Sequence, residues 1–128
     1  MNSSIDEMIS AQIAKAKEKL TAARSLAEAS HNDDAISRAY YATFHAASAV
    51  LLSEGITVES HQALKTMFGL KFAQTGKIDR KYGKWLSRLK DERENGDYDI
   101  FTDFDAGDAG NAIKNAEAFV QEMVRYLS

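Results

Sequence analysis

An arginine and a histidine seven residues apart, Arg38 and His45, are the pair in this 128-residue sequence with the clearest capacity for joint chemistry. They lie in the run Ser37-Arg38-Ala39-Tyr40-Tyr41-Ala42-Thr43-Phe44-His45-Ala46-Ala47. At about 3.6 residues per helical turn, a spacing of seven returns almost to the same direction. Arg38 and His45 therefore share a helix face, with Tyr41 and Ala42 between them. A histidine titrates near neutral pH and can take or give a proton. A guanidinium stays charged and matches phosphate oxygens in a fork. Together these residues suit a reaction in which an RNA 2'-hydroxyl attacks the neighbouring phosphate. That reaction needs a proton acceptor, a donor to the leaving oxygen and a cation for the phosphorane charge, and it needs no metal. Ser37 and Tyr41 are candidate phosphate or substrate contacts beside the pair.

The element that must position these residues is a helix with two apolar faces. Ile36, Tyr40, Thr43, Phe44, Ala47, Val50 and Leu51 make one face; Arg38, Tyr41, Ala42, His45, Ala49 and Leu52 make the other. A helix apolar nearly all round is a central, buried one. An arginine and a histidine on its small-residue side are costly there unless both are paired or used. The same small residues permit close helix approach, so this face is the expected contact of a homodimer.

The run Ser-Arg-Ala-Tyr-Tyr-Ala-x-Phe-His-Ala-Ala resembles the signature of the HEPN family, the higher eukaryote and prokaryote nucleotide-binding domain. Ser60-His61-Gln62-Ala63-Leu64, Lys77-Ile78-Asp79, Arg93-x3-Asp97-Tyr98 and Ala116-x2-Phe119-Val120 match in order, so the likeness spans residues 8 to 127. The resemblance implies a helical bundle that usually dimerises. It also implies a metal-independent ribonuclease built on an Arg-x4-6-His pair, completed by a second pair across a two-fold interface. Arg93, Asp97 and Tyr98 are the supporting residues it suggests. It further implies a toxin–antitoxin pair with a small nucleotidyltransferase. Two departures weigh against catalysis and that mode of control. Ala39 follows the arginine where active members often have a polar residue. Ala47 stands where such toxins often carry the tyrosine of His-x-Tyr, a target for nucleotide transfer.

The residues alone leave a structural reading open. Arg38 would then form a buried ion pair, with Asp97 as a candidate partner, and His45 would be a satisfied core histidine. Losing Arg38 would in that case strand a buried charge, at about 3–5 kcal/mol.

Charge is distributed unevenly. Residues 71–93 hold eight Lys/Arg against three Asp/Glu, and residues 94–108 hold six acids and no base. Lys77, Lys81, Lys84 and Arg88 fall on one face of the fourth helix expected from the pattern, a stripe that could follow a phosphate backbone. A solvated helix face explains the same stripe. The net charge of −3 argues against nucleic-acid binding by the whole surface, though not by a local patch. No metal site is expected. Asp103-x-Asp105 starts like a calcium loop, but Gly107 comes one position early and Lys114 occupies the glutamate position. Asp105 and Asp108 suit the start of a helix, where the dipole favours acids. The three histidines lack zinc spacing, and no glycine loop cradles a phosphate, so no cofactor is expected.

Read in order, the pattern predicts an all-α up-and-down bundle of four to five helices forming one HEPN-like domain over residues 1–128. Ser4 and Glu7 have capping-box spacing. Ile5, Met8, Ile9, Ile13, Ala16, Leu20 and Ala23 then keep one face apolar to about Ala29, while Lys15, Lys19 and Arg24 look solvated. The central helix runs to about Glu54, with Gly55 as its stop. Ile56–Glu59 is an extended connector. Ser60 caps a third helix that Gly76 ends, and Asp79 caps a fourth that fails near Asn95-Gly96. Residues 97–105 read as a loop pinned by Tyr98, Ile100, Phe101 and Phe104. A last helix covers about Ala106 to Leu127. With no proline, long uninterrupted helices are unopposed. With no cysteine and no signal-peptide pattern, a cytoplasmic protein is expected, and no run is apolar enough to span a membrane. The functions left in contention are an RNA-cleaving or RNA-binding component of a toxin–antitoxin pair and a non-catalytic dimeric module that binds a nucleotide or a partner.

Overall fold

The computed structural model describes residues 3–88 and 103–128. Within them the chain is helical, with no strand: α1 (Ser3–Glu28), α2 (Asn32–Ser53), α3 (His61–Phe68), α4 (described over 80–88) and α5 (Ala106–Leu127). The expected all-α bundle is what forms. The C-terminal end of the expected fourth helix and most of the expected loop, including Tyr98, Ile100 and Phe101, lie outside the described residues.

The helix boundaries follow local chemistry. Ser30 takes a left-handed φ of 67° between α1 and α2, and Gly55 does so at 75° beyond α2. Ser60 Oγ accepts from the Ala63 N–H at 3.0 Å and caps α3. Asp105 and Asp108 form a reciprocal capping box at the start of α5. Residues 56–59 form a connector outside any helix, and Ile56 and Val58 pack on the core. The third helix is less regular than its pattern suggests. After Phe68 it continues as a π-helical turn, Gly69–Ala73, before Gly76 closes it at φ 77°.

Helix α2 lies between α1 and α5 and also touches α3. Ala35, Ile36, Ala39, Tyr40, Ala42, Ala46, Ala47, Ala49, Val50 and Leu51 have no exposed surface. It is the most buried helix described, as both motif and periodicity require. The short turn at 29–31 makes α1 and α2 antiparallel neighbours. Helix α5 runs in the same direction as α2. Asn32 at the start of α2 donates to the Phe104 carbonyl at 3.0 Å, and Glu54 just beyond its end accepts from the Tyr126 hydroxyl at 3.2 Å. Phe119 of α5 meets Phe68 and Tyr82 at ring separations of 5.7 and 6.1 Å and ties α3 and α4 to the core.

The small residues of the second α2 face do allow close approach, but the helix they admit is α1 of the same chain. Ala42 and Ala49 are fully covered in a single copy, and the alanines and leucine at 16, 20 and 23 of α1 are buried with them. A dimer contact on that face is therefore confined to Arg38, Tyr41 and the edge of His45; the alanines between them are already used. Ala42→Leu should overpack this seam and lower stability by about 1–3 kcal/mol. A chemical denaturation midpoint equal to that of the native sequence would show that Ala42 is not enclosed.

Candidate functional site

His45 is half-buried where α1 crosses its face of α2. Its Nδ1 lies 2.7 Å from Gln12 Oε1. With the amide oxygen accepting, Nδ1 carries the proton and Nε2 keeps its lone pair, the tautomer of a general base. The Phe44 ring stands edge-on at 5.8 Å. Burial holds the His45 pKa below its ordinary 6.5, and the nearby charges of Lys19 and Lys15 push it the same way, opposed by Glu18. Glu18 is itself drawn to Lys15 at 3.5 Å. At neutral pH the ring is thus held in its uncharged form.

Arg38 shares the face of His45 but is exposed. Among the described residues it has no hydrogen bond or ion pair. This counts against the structural reading, in which Arg38 forms a buried ion pair: α1 covers the helix near His45, while the guanidinium two turns earlier reaches water. Asp97, its candidate ion-pair partner, lies outside the described residues, as do Arg93 and Tyr98. Ser37 and Tyr41 are half-buried beside Arg38. The Tyr41 ring belongs to an aromatic group with Tyr40, at 5.6 Å, and His61, at 6.1 Å.

His61 anchors the start of α3. Its Nδ1 is 2.5 Å from the hydroxyl of the fully buried Tyr40, and its ring lies 5.0 Å from Phe44. The sequence pattern marked His61 without giving it a task. Here it joins α3 to the helix that carries Arg38 and His45.

The expected basic stripe is divided among different tasks. Lys77 precedes α4 and bonds Glu54 at 3.0 Å, so it does not lie on the helix face assigned to it. That bond, with the Tyr126 hydroxyl, holds the Glu54 carboxyl below its usual range and raises Lys77. Lys81 lies over the Tyr82 and Trp85 rings at 5.2 and 5.7 Å. Arg88 is exposed, and Lys84 lines a cleft against α3. Periodicity also missed Gln12, Lys15 and Lys19. All three sit on α1, and only the antiparallel register of α1 against α2 brings them to His45. A polar Gln12 interrupting an otherwise apolar α1 stripe, between Ile9 and Ile13, was the available signal.

A helical bundle presenting an Arg-x6-His pair at the surface of its central helix defines the class to which this protein belongs. Comparison with known proteins gives the family. The HEPN domain model matches residues 9–127. The chain is 36% identical over 127 residues to a Methanocaldococcus jannaschii protein named "Putative toxin MJ0605", covering 99% of this chain and 94% of that one. It is 30% identical over 113 residues to a Thermotoga maritima "UPF0332 protein", covering 88% and 86%. A second M. jannaschii protein, "Putative toxin MJ0142", is 27% identical over 115 residues, covering 90% and 78%. The chain belongs to the HEPN domain family. No helix among the described residues is long and apolar enough to cross a membrane.

The depressed His45 pKa has a signed consequence for stability. Between the folded value and 6.5 the unfolded chain binds more protons than the folded one. Stability is therefore complete above about pH 6.5 and falls as the solution is acidified through the window below it. His45→Gln should flatten this part of the stability–pH curve relative to the native sequence. Parallel curves for the two proteins between pH 7.5 and 5 would show that His45 is not desolvated.

Proposed function

We propose that this protein is a toxin-type HEPN ribonuclease that cleaves RNA without a metal, with Arg38 and His45 as its reacting side chains. The observation that carries this reading is the pairing of a neutral, Gln12-oriented imidazole with an exposed arginine on one helix face. His45 Nε2 takes the proton of a 2'-hydroxyl. The 2'-oxygen bonds to phosphorus as the phosphorus–O5' bond breaks, leaving a 2',3'-cyclic phosphate. The proton donated to the departing 5'-oxygen comes from a second His45 across a two-fold axis, so the active species is a homodimer in the cytoplasm. Arg38 stabilises the charge on the phosphorane oxygens, and Ser37 and Tyr41 border the same phosphate. The toxin names of two relatives support the toxin role; the pairing with a nucleotidyltransferase antitoxin follows from the family resemblance alone. Ala47 offers no hydroxyl for nucleotide transfer, so that partner would restrain the toxin by covering the site or by modifying another residue.

Exposure of Arg38 makes the decisive variants clean. Arg38→Ala should change stability by no more than about 0.5 kcal/mol, because it strands no buried charge. It should nevertheless slow RNA cleavage as severely as His45→Ala does, about 10²–10⁴-fold. A chelator should leave the native rate unchanged. Cleavage rates and thermal melts of the same two variants decide the matter. No cleavage by the native dimer would leave a non-catalytic binding module, and chelator-sensitive cleavage would assign the reaction to different chemistry.

A further inference from the structure

Helices α3 and α4 enclose a cleft of about 580 Å³ that the Arg38–His45 reading does not use. Arg80, Gly83, Lys84 and Ser87 face it from α4 at spacings of three and four, one stripe of a helix. Lys65, Gly69 and Ala73 face it from α3 and its π-helical turn. The floor is kept low by small residues. A Cβ built on Gly83 would already stand 3.6 Å from Ala73 Cβ and 3.9 Å from Phe68 Cδ1. Three cations rim this floor, and among the described residues no acid lines it.

Their convergence on one hollow sets these cations apart. Elsewhere Lys15, Arg24, Lys77 and Arg125 are each matched with a glutamate. Among the described residues Lys65, Arg80 and Lys84 have no ion pair. All three are exposed, so solvent screens their mutual repulsion, and an anion seated between them would relieve what remains. The lining also shows which anion fits. Among the described residues its largest apolar side chain is alanine, which offers no pocket for the aromatic or aliphatic anchor that a protein partner normally buries. Nor do the described residues place an aromatic ring there on which a base could stack. A sugar–phosphate backbone needs neither. It needs cations, an arginine fork and a floor without bulky side chains.

We propose that the Lys65–Arg80–Lys84 cleft binds the phosphodiester backbone of single-stranded RNA, away from the scissile bond and without reading sequence. This rests on the ribonuclease reading for the identity of the strand, and it moves the backbone contact from the α4 stripe to the cleft between α3 and α4. Lys84 belongs to both, whereas Lys65 and Arg80 are new.

The test is equilibrium binding of a single-stranded RNA of about 16 nucleotides, measured with the intact chain carrying His45→Ala so that the strand survives. Lys65→Gln, Arg80→Gln and Lys84→Gln are added singly and together, with the exposed Lys114→Gln as control. Each cleft substitution should weaken binding about fivefold at 0.1 M salt. Each should also reduce the slope of log K against log salt by about 0.7, the value for one phosphate contact on a single strand. The triple variant should lose about 2 in slope, and the control should lose neither affinity nor slope. Melting temperatures confirm that all variants fold. Unchanged slopes in protein whose native form cleaves RNA would overturn the cleft assignment and leave the ribonuclease standing. Slopes that fall as expected, in protein whose native form cleaves nothing, would support the cleft and remove the ribonuclease. A chain that binds no RNA overturns the cleft assignment, and an acidic protein captured by the native chain but not by the triple variant would name the occupant instead.

Discussion

The alanine seam between α1 and α2 sets the position of everything else. Interhelical distance depends on the side chains at the contact, and alanine allows the closest approach apart from glycine. Ala42, Ala46 and Ala49 on α2, with Ala16 and Ala23 on α1, have no exposed surface. Pulling α1 this close places Gln12 within hydrogen-bonding distance of His45 and brings Lys15 and Lys19 near enough to depress its pKa. Larger residues in the seam would move α1 outward. His45 would then gain solvent and lose both its orienting amide and its electrostatic bias. The protonation state of the candidate base is in this sense a product of core packing.

The two ends of α2 are treated differently. Beyond its C-terminus Glu54 collects Lys77 and the Tyr126 hydroxyl, and Phe72 stacks edge-on against Tyr126 at 5.3 Å. This fastens the end of the π-helical turn and the last turn of α5 to one point. These contacts are exposed and each contributes little on its own, but they fix the direction in which the chain enters α4. Nearer the N-terminus, Arg38 is left in solvent. The half of the helix that holds Arg38 is supported from inside, by Tyr40 and His61, and Arg38 is exposed on its outer side.

The sequence made the helices legible because their signals are local. Ser60, Gly55, Gly76 and the Asp105–Asp108 pair each act within a few residues, and each stands where the pattern placed it. The π-helical turn was not legible. Leu64, Phe68 and Phe72 keep an ordinary spacing of four, so periodicity reads straight through it. The face of α2 was legible, but what covers it was not. A stripe of alanines specifies a close neighbour without saying whether that neighbour is another copy or another helix of the same chain. Arg38 shows the limit most clearly. Its helix position was right, yet its burial depended on where α1 stops covering α2, which no spacing in the sequence records. Lys77 failed for a related reason. The turn at Gly76–Ile78 puts it before α4, where Glu54, distant in sequence, takes it. Arg93, Asp97 and Tyr98 lie outside the described residues, so their place beside the site rests on resemblance.

On the proposed reading, the electrostatics of His45 bear on why two copies would be needed. Phosphodiester cleavage by a 2'-hydroxyl needs an acceptor and a donor in the same step, and one imidazole cannot be both at once. Burial first, and Lys19 and Lys15 after it, bias His45 toward the neutral form, which makes it the acceptor. The donor must be a protonated group, and the same bias acts on every free copy of the chain. Bound phosphate changes that balance. Its negative charge, placed between two copies, offsets the lysines and raises the proton affinity of both rings. A single proton shared between them then suffices, with one ring neutral and the other charged. Burial and the lysines together would thus keep the ring uncharged until substrate arrives, and the substrate's own charge would favour the acid form. On this reading the cation that balances the phosphorane is Arg38, carried on the same helix face as His45, in place of a metal.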